Sequence, residues 1–346
     1  MNFRAPQTWP KHCDSSTVLN RKAPLPRPPV LLQTAGTMKI KHLACIVVTV
    51  IILASSSPLC ADSTPPYLYV LGVTQDAGYP QTGCYEEHCL PGWRNPDLRR
   101  PAVSLGLVDP VNNRKYMFDA TPGFPGQLYD LEVAAPSDRF ELAGIFLTHA
   151  HIGHYTGLMF LGHEAMGASG VPVYAMPRMK NYLETNGPWS QLVDYGNIEL
   201  KPLQAESTES LGQLKVTPFL VPHRDEYSET VGFRIDGPNK SAAFIPDINK
   251  WSEWQMDLTE LVQSVDYALL DATFYADGEL PGRDMSKIPH PYVVESMQIL
   301  QHLPPEQRNK VWFIHLNHTN PLLDPESEAS KAVRLKGFNV AIEGLR

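Results

Sequence analysis

Apolar residues in the first half of the chain fall into short runs that are typical of buried β-strands. The first predicted strands are Tyr67–Val73, Ala102–Val108, Lys115–Asp119 and Gly144–Thr148. The pattern then changes to helical spacing, which predicts a helix over Thr156–Ala168. The chain therefore begins as a set of strands followed by a helix.

A similar succession follows in the second half. We predict a strand at Val171–Ala175, a helix near Arg178–Thr185, and strands at Ile198–Pro202, Leu214–Phe219, Val231–Ile235 and Ala242–Ile245. Beyond these come helix Leu258–Ser264, strand Tyr267–Leu270, helix Tyr292–His302, strand Val311–Ile314, a helix near Glu326–Leu335 and strand Asn339–Ile342. Two similar halves of this kind predict an α/β fold in which two sheets pack together with helices outside, a four-layer αββα sandwich.

The first 61 residues differ from the rest. Residues 38–61 have a basic start, a 12-residue apolar run and a small-residue end at Ala61, the order typical of a secretory signal peptide. The run is shorter than the roughly 20 residues that cross a bilayer. We therefore expect cleavage after Ala61, a secreted or periplasmic protein and no stable membrane anchor, with a retained anchor as the alternative. Residues 1–37 lack apolar periodicity, and we expect the true start at Met38.

Residues 62–346 contain no repeat or long linker, and we expect them to form one domain. The chain has 29 Lys+Arg and 37 Asp+Glu; seven of the basic residues and one acidic residue precede residue 62, which leaves 22 against 36 and a net charge of −14. Nucleic-acid binding depends on an excess of Lys and Arg. We therefore expect a small-molecule substrate and no nucleic acid, while the sequence indicates no oligomeric state.

Two of the five cysteines, Cys84 and Cys89, lie beyond the predicted signal peptide. In an oxidising compartment an isolated pair favours a local disulfide. The alternative is a small metal knuckle that includes His88, although two cysteines and one histidine fall short of a closed tetrahedral set.

Three histidines follow one apolar strand directly. His149 and His151 are two residues apart, so in extended backbone they share a face, and a turn at Gly153 brings His154 in from another direction. Three imidazoles that converge at a strand end suit a divalent metal of the zinc type.

Further ligand-type residues stand just past other apolar strands. They are His223, Asp247, His315 and His318. Each has an ordinary structural explanation when taken alone, but their shared placement at strand ends favours a common cleft.

At these residues the sequence resembles the metallo-β-lactamase superfamily. The segment from His149 to His154 matches the signature H-x-H-x-D-H except at Gly153. The resemblance implies the αββα fold, with a metal site between the sheets. The residues it implies are His149, His151 and His223 for one metal, His154 and His315 for a second, Asp247 as the bridging carboxylate and Asp119 as a structural support.

Within the superfamily, the sequence is most similar to the pyrroloquinoline quinone biosynthesis protein B branch. The matching segments are residues 70–81 followed by a cysteine pair, residues 270–274 and residues 313–321. The segment Asp271–Phe274, with His290 further on, also resembles the ribonuclease Z and phosphodiesterase branches, but the acidic charge argues against a nuclease.

Two departures from these patterns bear on function. Gly153 replaces the Asp that ligates the second metal in the family, so that site is expected to be weak, empty or completed by a neighbour such as His318. In contrast, this chain has the early pair His149 and His151, which the biosynthetic branch lacks. The pair indicates a working metal enzyme.

The leading hypothesis is a metal-dependent hydrolase with one or two zinc ions. Zinc lowers the pKa of bound water to near 7, and the hydroxide, held by Asp247, would attack an ester, amide, lactone or phosphoester bond. Asp271 and His290 are candidates for a proton donor or a second support.

Two other functions stay open. Imidazole and carboxylate ligands also suit non-haem iron, which together with the resemblance favours an iron-dependent oxygenase or a cofactor-biosynthesis protein. The third hypothesis is a binding or carrier protein without chemistry, which Gly153 favours.

Overall fold

Two mixed β-sheets face each other in the computed structural model, which describes residues 64–346. The first sheet has the order β1-β2-β3-β4-β5-β6, with parallel pairing from β3 onward. Its strands are β1 (Tyr67–Gly72), β2 (Ser104–Asp109), β3 (Arg114–Phe118), β4 (Glu141–Phe146), β5 (Val171–Ala175) and β6 (Ile198–Pro202).

The second sheet has the order β13-β12-β11-β10-β9-β8-β7, and its parallel pairs run from β10 to β13. Its strands are β7 (Glu209–Leu211), β8 (Leu214–Leu220), β9 (Val231–Asp236), β10 (Ser241–Ile245), β11 (Tyr267–Asp271), β12 (Val311–Ile314) and β13 (Asn339–Val340).

Helices cover the outer face of each sheet. The helices of the described part are α1 (Leu90–Arg94), α2 (Phe124–Ala134), α3 (Ile152–Tyr155), α4 (Pro177–Thr185), α5 (Trp189–Asp194), α6 (Leu258–Ser264), α7 (Val293–Leu300), α8 (Pro305–Arg308) and α9 (Glu328–Leu335). Helices α2, α4 and α5 pack on the first sheet, and α6, α7 and α9 pack on the second.

Alternation along the strands produces three separate apolar layers. In β3, Met117 belongs to the layer under the helices, whereas Tyr116 and Phe118 face the other sheet. In β10, Ile245 and Phe244 divide in the same way. Because successive side chains of a strand point to opposite faces, each sheet has an apolar layer on both sides. The predicted four-layer αββα sandwich is confirmed.

One edge of the two sheets collects the ends of several strands. Strands β3 and β4 are parallel neighbours, as are β10, β11 and β12, and β8 runs in the same direction as β10 because β9 lies antiparallel between them. The carboxyl ends of these strands therefore open at a common edge, which is where the residues proposed as ligands follow.

The largest error in the predicted elements is the helix over Thr156–Ala168. The structure has the short helix α3 and a 3₁₀ helix over Thr156–Leu161, followed by turns that contain Gly162 and Gly167. Glycine is unfavourable inside helices, and two of them interrupt this apolar pattern. Every predicted strand is present with ends shifted by a few residues, while β7 and the helices α1, α2, α5 and α8 were not predicted.

The predicted signal peptide at 38–61 and the prefix 1–37 lie outside the described residues. Within residues 64–346, no helix combines the length and the apolar character needed to cross a membrane.

A buried lysine joins the first sheet to α2. Lys115 Nζ on β3 is fully buried and donates hydrogen bonds to the Glu132 carboxylate at 2.6 Å and to the Ala135 carbonyl at the end of α2 at 2.7 Å. The Lys115 hydrogen bond is the main cause that lowers the pKa of Glu132 to about 2. The ion pair therefore stabilises the docking of α2.

We expect Glu132→Gln to lower the free energy of unfolding by about 1 kcal/mol at neutral pH, a modest value because the Glu132 side chain is 39% exposed and screened by solvent. Since the folded pKa is depressed, this contribution is complete above the unfolded value of 4.5 and disappears as the pH falls toward 2. Denaturant unfolding between pH 7 and pH 2.5 measures the difference. Glu328→Gln, which removes the exposed pair with Lys331, is the control. A difference that does not shrink with acid would contradict the assignment.

Candidate metal centre

Three histidines and one aspartate form the first ligand group. His149 and His151 follow β4, His223 follows β8 and Asp247 follows β10. His151 Nδ1 lies 2.8 Å from His149 Nε2 and 3.2 Å from His223 Nε2, and Asp247 Oδ2 lies 3.3 Å and 3.1 Å from the same two nitrogens. Tetrahedral ligands at roughly 2.0–2.1 Å from zinc are about 3.3 Å apart. The four atoms therefore fit one zinc-type ion.

A second group shares Asp247 with the first. It consists of His154, His315 and Asp247, whose ligand atoms lie within 4.8 Å of one another. His154 Nε2 and His315 Nε2 are 3.8 Å and 4.0 Å from Asp247 Oδ2. Both nitrogens and Asp247 Oδ1 are buried without a hydrogen-bond partner among residues 64–346. Buried polar atoms without partners are costly, so these three fit a missing cation.

Asp271 and His290 form a third group with Asp247. His290 Nδ1 lies 2.8 Å from Asp271 Oδ2 and 3.3 Å from Asp247 Oδ1. Asp271 is fully buried and also accepts hydrogen bonds from Ile248 N and from the Thr273 backbone and hydroxyl. Because these donors occupy its oxygens, the geometry favours Asp271 as a support and leaves His290, which lines the cleft, as the candidate proton donor.

Each of the five imidazoles uses its second nitrogen for a hydrogen bond away from the centre. Such outer contacts fix the ring orientation of metal-binding histidines. The pairs are His149 Nδ1 with Thr148 Oγ1 (3.0 Å), His151 Nε2 with Glu226 Oε2 (3.0 Å), His154 Nδ1 with Asp119 Oδ2 (2.8 Å), His223 Nδ1 with Asn249 Oδ1 (3.2 Å) and His315 Nδ1 with Thr273 Oγ1 (2.8 Å).

The backbone at two strand ends adopts the left-handed conformation. Asp119, directly after β3, has φ +65°, and His315, directly after β12, has φ +67°. Residues other than glycine rarely adopt such angles, and they do so mainly where a site requires it. Asp119 accepts hydrogen bonds from Thr148 N at 2.8 Å and from His154, as expected for the support implied by the resemblance.

Burial and neighbouring charges set the protonation of the centre. Burial holds the pKa of His149 well below its usual value, which leaves the neutral form that binds metal. Burial alone would raise the pKa of Asp247, but imidazole charges, first that of His223, hold it well below the usual range. Burial also opposes protonation of His290, yet Asp271 and Asp247 raise its pKa to about 9. The centre thus combines an anion with a cationic His290.

His318 is the one predicted ligand that the structure does not bring to Asp247. Its ring stacks on His88 with centroids 5.4 Å apart, in a separate cluster with Cys84 and Cys89. The prediction that His318 completes the second metal site is therefore wrong for this geometry, because the chain turns away after His315. Cys84 and Cys89 form a disulfide, as the first of the two alternatives predicted.

The outer partners of the histidines are what the sequence analysis missed. Thr148 and Thr273 stand beside predicted strands, and Asn249 follows Asp247 by two residues. Only the position of Thr148, next to His149, gave a local signal. Glu226 comes from a loop distant in sequence from His151.

A family model described as a beta-lactamase superfamily domain matches residues 114–316, more than half of the chain. The chain belongs to this superfamily. The match includes all the residues that gather around Asp247, and the resemblance noted in the sequence is confirmed.

Among curated proteins, the chain is similar to the coenzyme PQQ synthesis protein B of Methylobacterium sp. (strain 4-46), with 26% identity over 301 residues, 80% of this chain and 97% of the relative. The predicted similarity to this branch is confirmed.

Solved structures show the same fold. Zinc-bound PqqB from Methylobacterium extorquens has a TM-score of 0.68 and 22% identity, covering 80% of this chain and 98% of its own. A diphosphatase from the PhnP family has a TM-score of 0.56 and 22% identity, covering 82% and 96%.

We expect Asp119→Asn to weaken zinc binding about 10- to 100-fold, because the amide cannot accept from both Thr148 and His154 as the carboxylate does. Competition with a zinc-binding dye measures the affinity. Asp109→Asn is the matched control, since Asp109 is equally buried but lies at the opposite end of the first sheet, opposite Arg114. Unchanged zinc affinity in the folded Asp119→Asn protein would contradict the supporting role of Asp119.

Proposed function

We propose that this chain is a metal-dependent enzyme of coenzyme synthesis, with a role related to the one named for coenzyme PQQ synthesis protein B. One observation carries the proposal: a chain that covers 97% of such a relative brings five imidazoles and a carboxylate to one cleft. This function was the alternative in the sequence analysis, and the similarity favours it over the hydrolase hypothesis.

The ligand atoms are suited to a transition metal. Nitrogen and carboxylate donors fit zinc and non-haem iron, and the PqqB structure of similar fold is a zinc-bound one. His149, His151, His223 and Asp247 would hold the first ion. When bound, such an ion supplies a Lewis acid that activates a small ligand, water for zinc or dioxygen for iron.

The protein's own groups divide the remaining work. Asp247 places a negative charge between the two ligand groups, where it holds both in register. His290 lines the cleft and, with its pKa raised to about 9 against burial by Asp271 and Asp247, carries a proton at neutral pH. Asp271 keeps that ring oriented through the 2.8 Å contact. His290 is thus placed to donate a proton to a substrate atom in the cleft.

The cleft beside the centre favours an anionic small molecule. Its volume is about 440 Å³, within the range of small-ligand sites. Three cations line it, Arg224, Arg283 and Lys287, against one acid, Asp76. Because residues 62–346 have a net charge of −14, this local positive charge is unusual and would attract carboxylates or phosphates.

We further propose that the enzyme acts outside the cytoplasm, secreted or in a periplasm. The support is the secretory pattern of residues 38–61.

A second candidate function is metal-dependent hydrolysis of an ester, amide, lactone or phosphoester. Two ligand groups that share a carboxylate are suited to two ions that stabilise the attacking and leaving oxygens. A diphosphatase is among the proteins of similar fold.

Complementation tests the proposal. The full chain is produced in a bacterium from which the gene for coenzyme PQQ synthesis protein B has been deleted, and PQQ is measured by mass spectrometry. We expect PQQ with the natural sequence and with the surface control Asp138→Asn, and none with His149→Ala, which lacks a metal ligand. Absence of PQQ with a folded, metal-containing natural sequence would contradict the proposal. Oxygen-independent release of p-nitrophenol from p-nitrophenyl acetate or bis(p-nitrophenyl) phosphate by the zinc form would instead favour hydrolysis.

A further inference from the structure

The second ligand group lacks negative charge of its own. Its members are His154, His315 and Asp247, and Asp247 is shared with the first group. Two neutral imidazoles and a shared carboxylate leave a divalent ion without an anionic ligand of its own. His154 Nε2 and His315 Nε2 are nevertheless buried without a partner in the described part of the chain, which points to an ion.

Gly153 precedes His154, and the backbone of another segment fills the place of its side chain. A Cβ at Gly153 would lie 2.6 Å from Asp76 Cα, 2.8 Å from Asp76 O and 3.1 Å from Asp76 C. These are backbone atoms, so they cannot move aside as the end of a side chain can. Residue 76 therefore takes the space that any larger residue at position 153 would need.

The segment with Asp76 is also attached to the other histidine of the second group. Gln75 N donates to the Leu316 carbonyl at 2.9 Å, and Leu316 N donates to the Val73 carbonyl at 2.8 Å. Leu316 follows His315 directly. Asp76, with φ +47°, therefore stands between α3, which provides His154, and the end of β12, which provides His315.

The carboxylate of Asp76 acts on the same centre. Asp76 is half-buried and lines the cleft together with His290. Burial lowers the pKa of His154 and of His290, but carboxylates raise both above the usual value, first Asp119 for His154 and Asp271 for His290, with Asp76 contributing to each. The negative charge of Asp76 is thus felt at both sides of the second group.

We propose that Asp76 supplies the missing carboxylate ligand of the second metal site, and that Gly153 is required because a side chain there would push residue 76 away. The inference depends on the proposed function only in that the protein binds metal. The ligand has moved from the loop after β4 to the loop after β1, while the site keeps its position between His154 and His315.

Zinc titration of the full chain, freed of metal by dialysis, tests this assignment. Calorimetry and elemental analysis report the number of ions and the affinity of each. We expect two ions in the natural sequence. In Asp76→Asn the second ion should bind at least about 10-fold more weakly, with the first unchanged. Asp138→Asn removes an equal charge from an exposed position and should bind both ions normally.

Gly153→Ala provides an independent variant that keeps the Asp76 carboxylate. The added methyl group should displace residue 76 and selectively weaken the second ion. Gly126→Ala is its control, because Gly126 also lies in a helix but has no atom within 4 Å of its would-be Cβ. Circular dichroism verifies that each variant is folded. If Asp76→Asn does not fold, Gly153→Ala alone decides.

The outcomes separate this inference from the proposed function. Two ions with unchanged affinities in Asp76→Asn, or equal weakening of both ions, would overturn the role of Asp76. A natural sequence that binds only one ion would also overturn it, while the proposed function, which needs only the first group, would remain. A natural sequence that binds no ion would overturn both.

Discussion

The Asp247 carboxylate is the charge on which the whole centre depends. It is 5% exposed and belongs to each of the three ligand groups that gather at this edge of the sheets. An isolated carboxylate buried in this way would cost several kcal/mol. Imidazole nitrogens between 3.1 and 4.0 Å away, from His223 to His315, offset that cost, and a bound cation would offset it further.

The two sheets contribute to the centre in a similar way. Each places one fully buried carboxylate behind the ligands, Asp119 after β3 and Asp271 at the end of β11. Each carboxylate holds one histidine at 2.8 Å and accepts from a threonine hydroxyl, that of Thr148 or of Thr273. Because the apolar layer between the sheets fixes the strand ends, the imidazoles are oriented before any ion binds.

The strands and the ligands at their ends were predictable because both depend on local patterns. Helix Phe124–Ala134 was missed because its exposed Tyr129 and Val133 obscure the apolar face. The outer partner Asn249, and the place of His318 away from Asp247, depend on how distant segments fold together, so spacing along the chain could not give them. The contact of residue 76 with Gly153 is of the same kind.

The central claim is that one ion lies among His149, His151, His223 and Asp247. Crystals of residues 62–346, purified without chelator, would test it by anomalous diffraction on both sides of the zinc and iron absorption edges. The account predicts an anomalous peak at about 2.0–2.2 Å from all four ligand atoms. An active protein whose crystals show no peak there, or a peak only at another site, would contradict it.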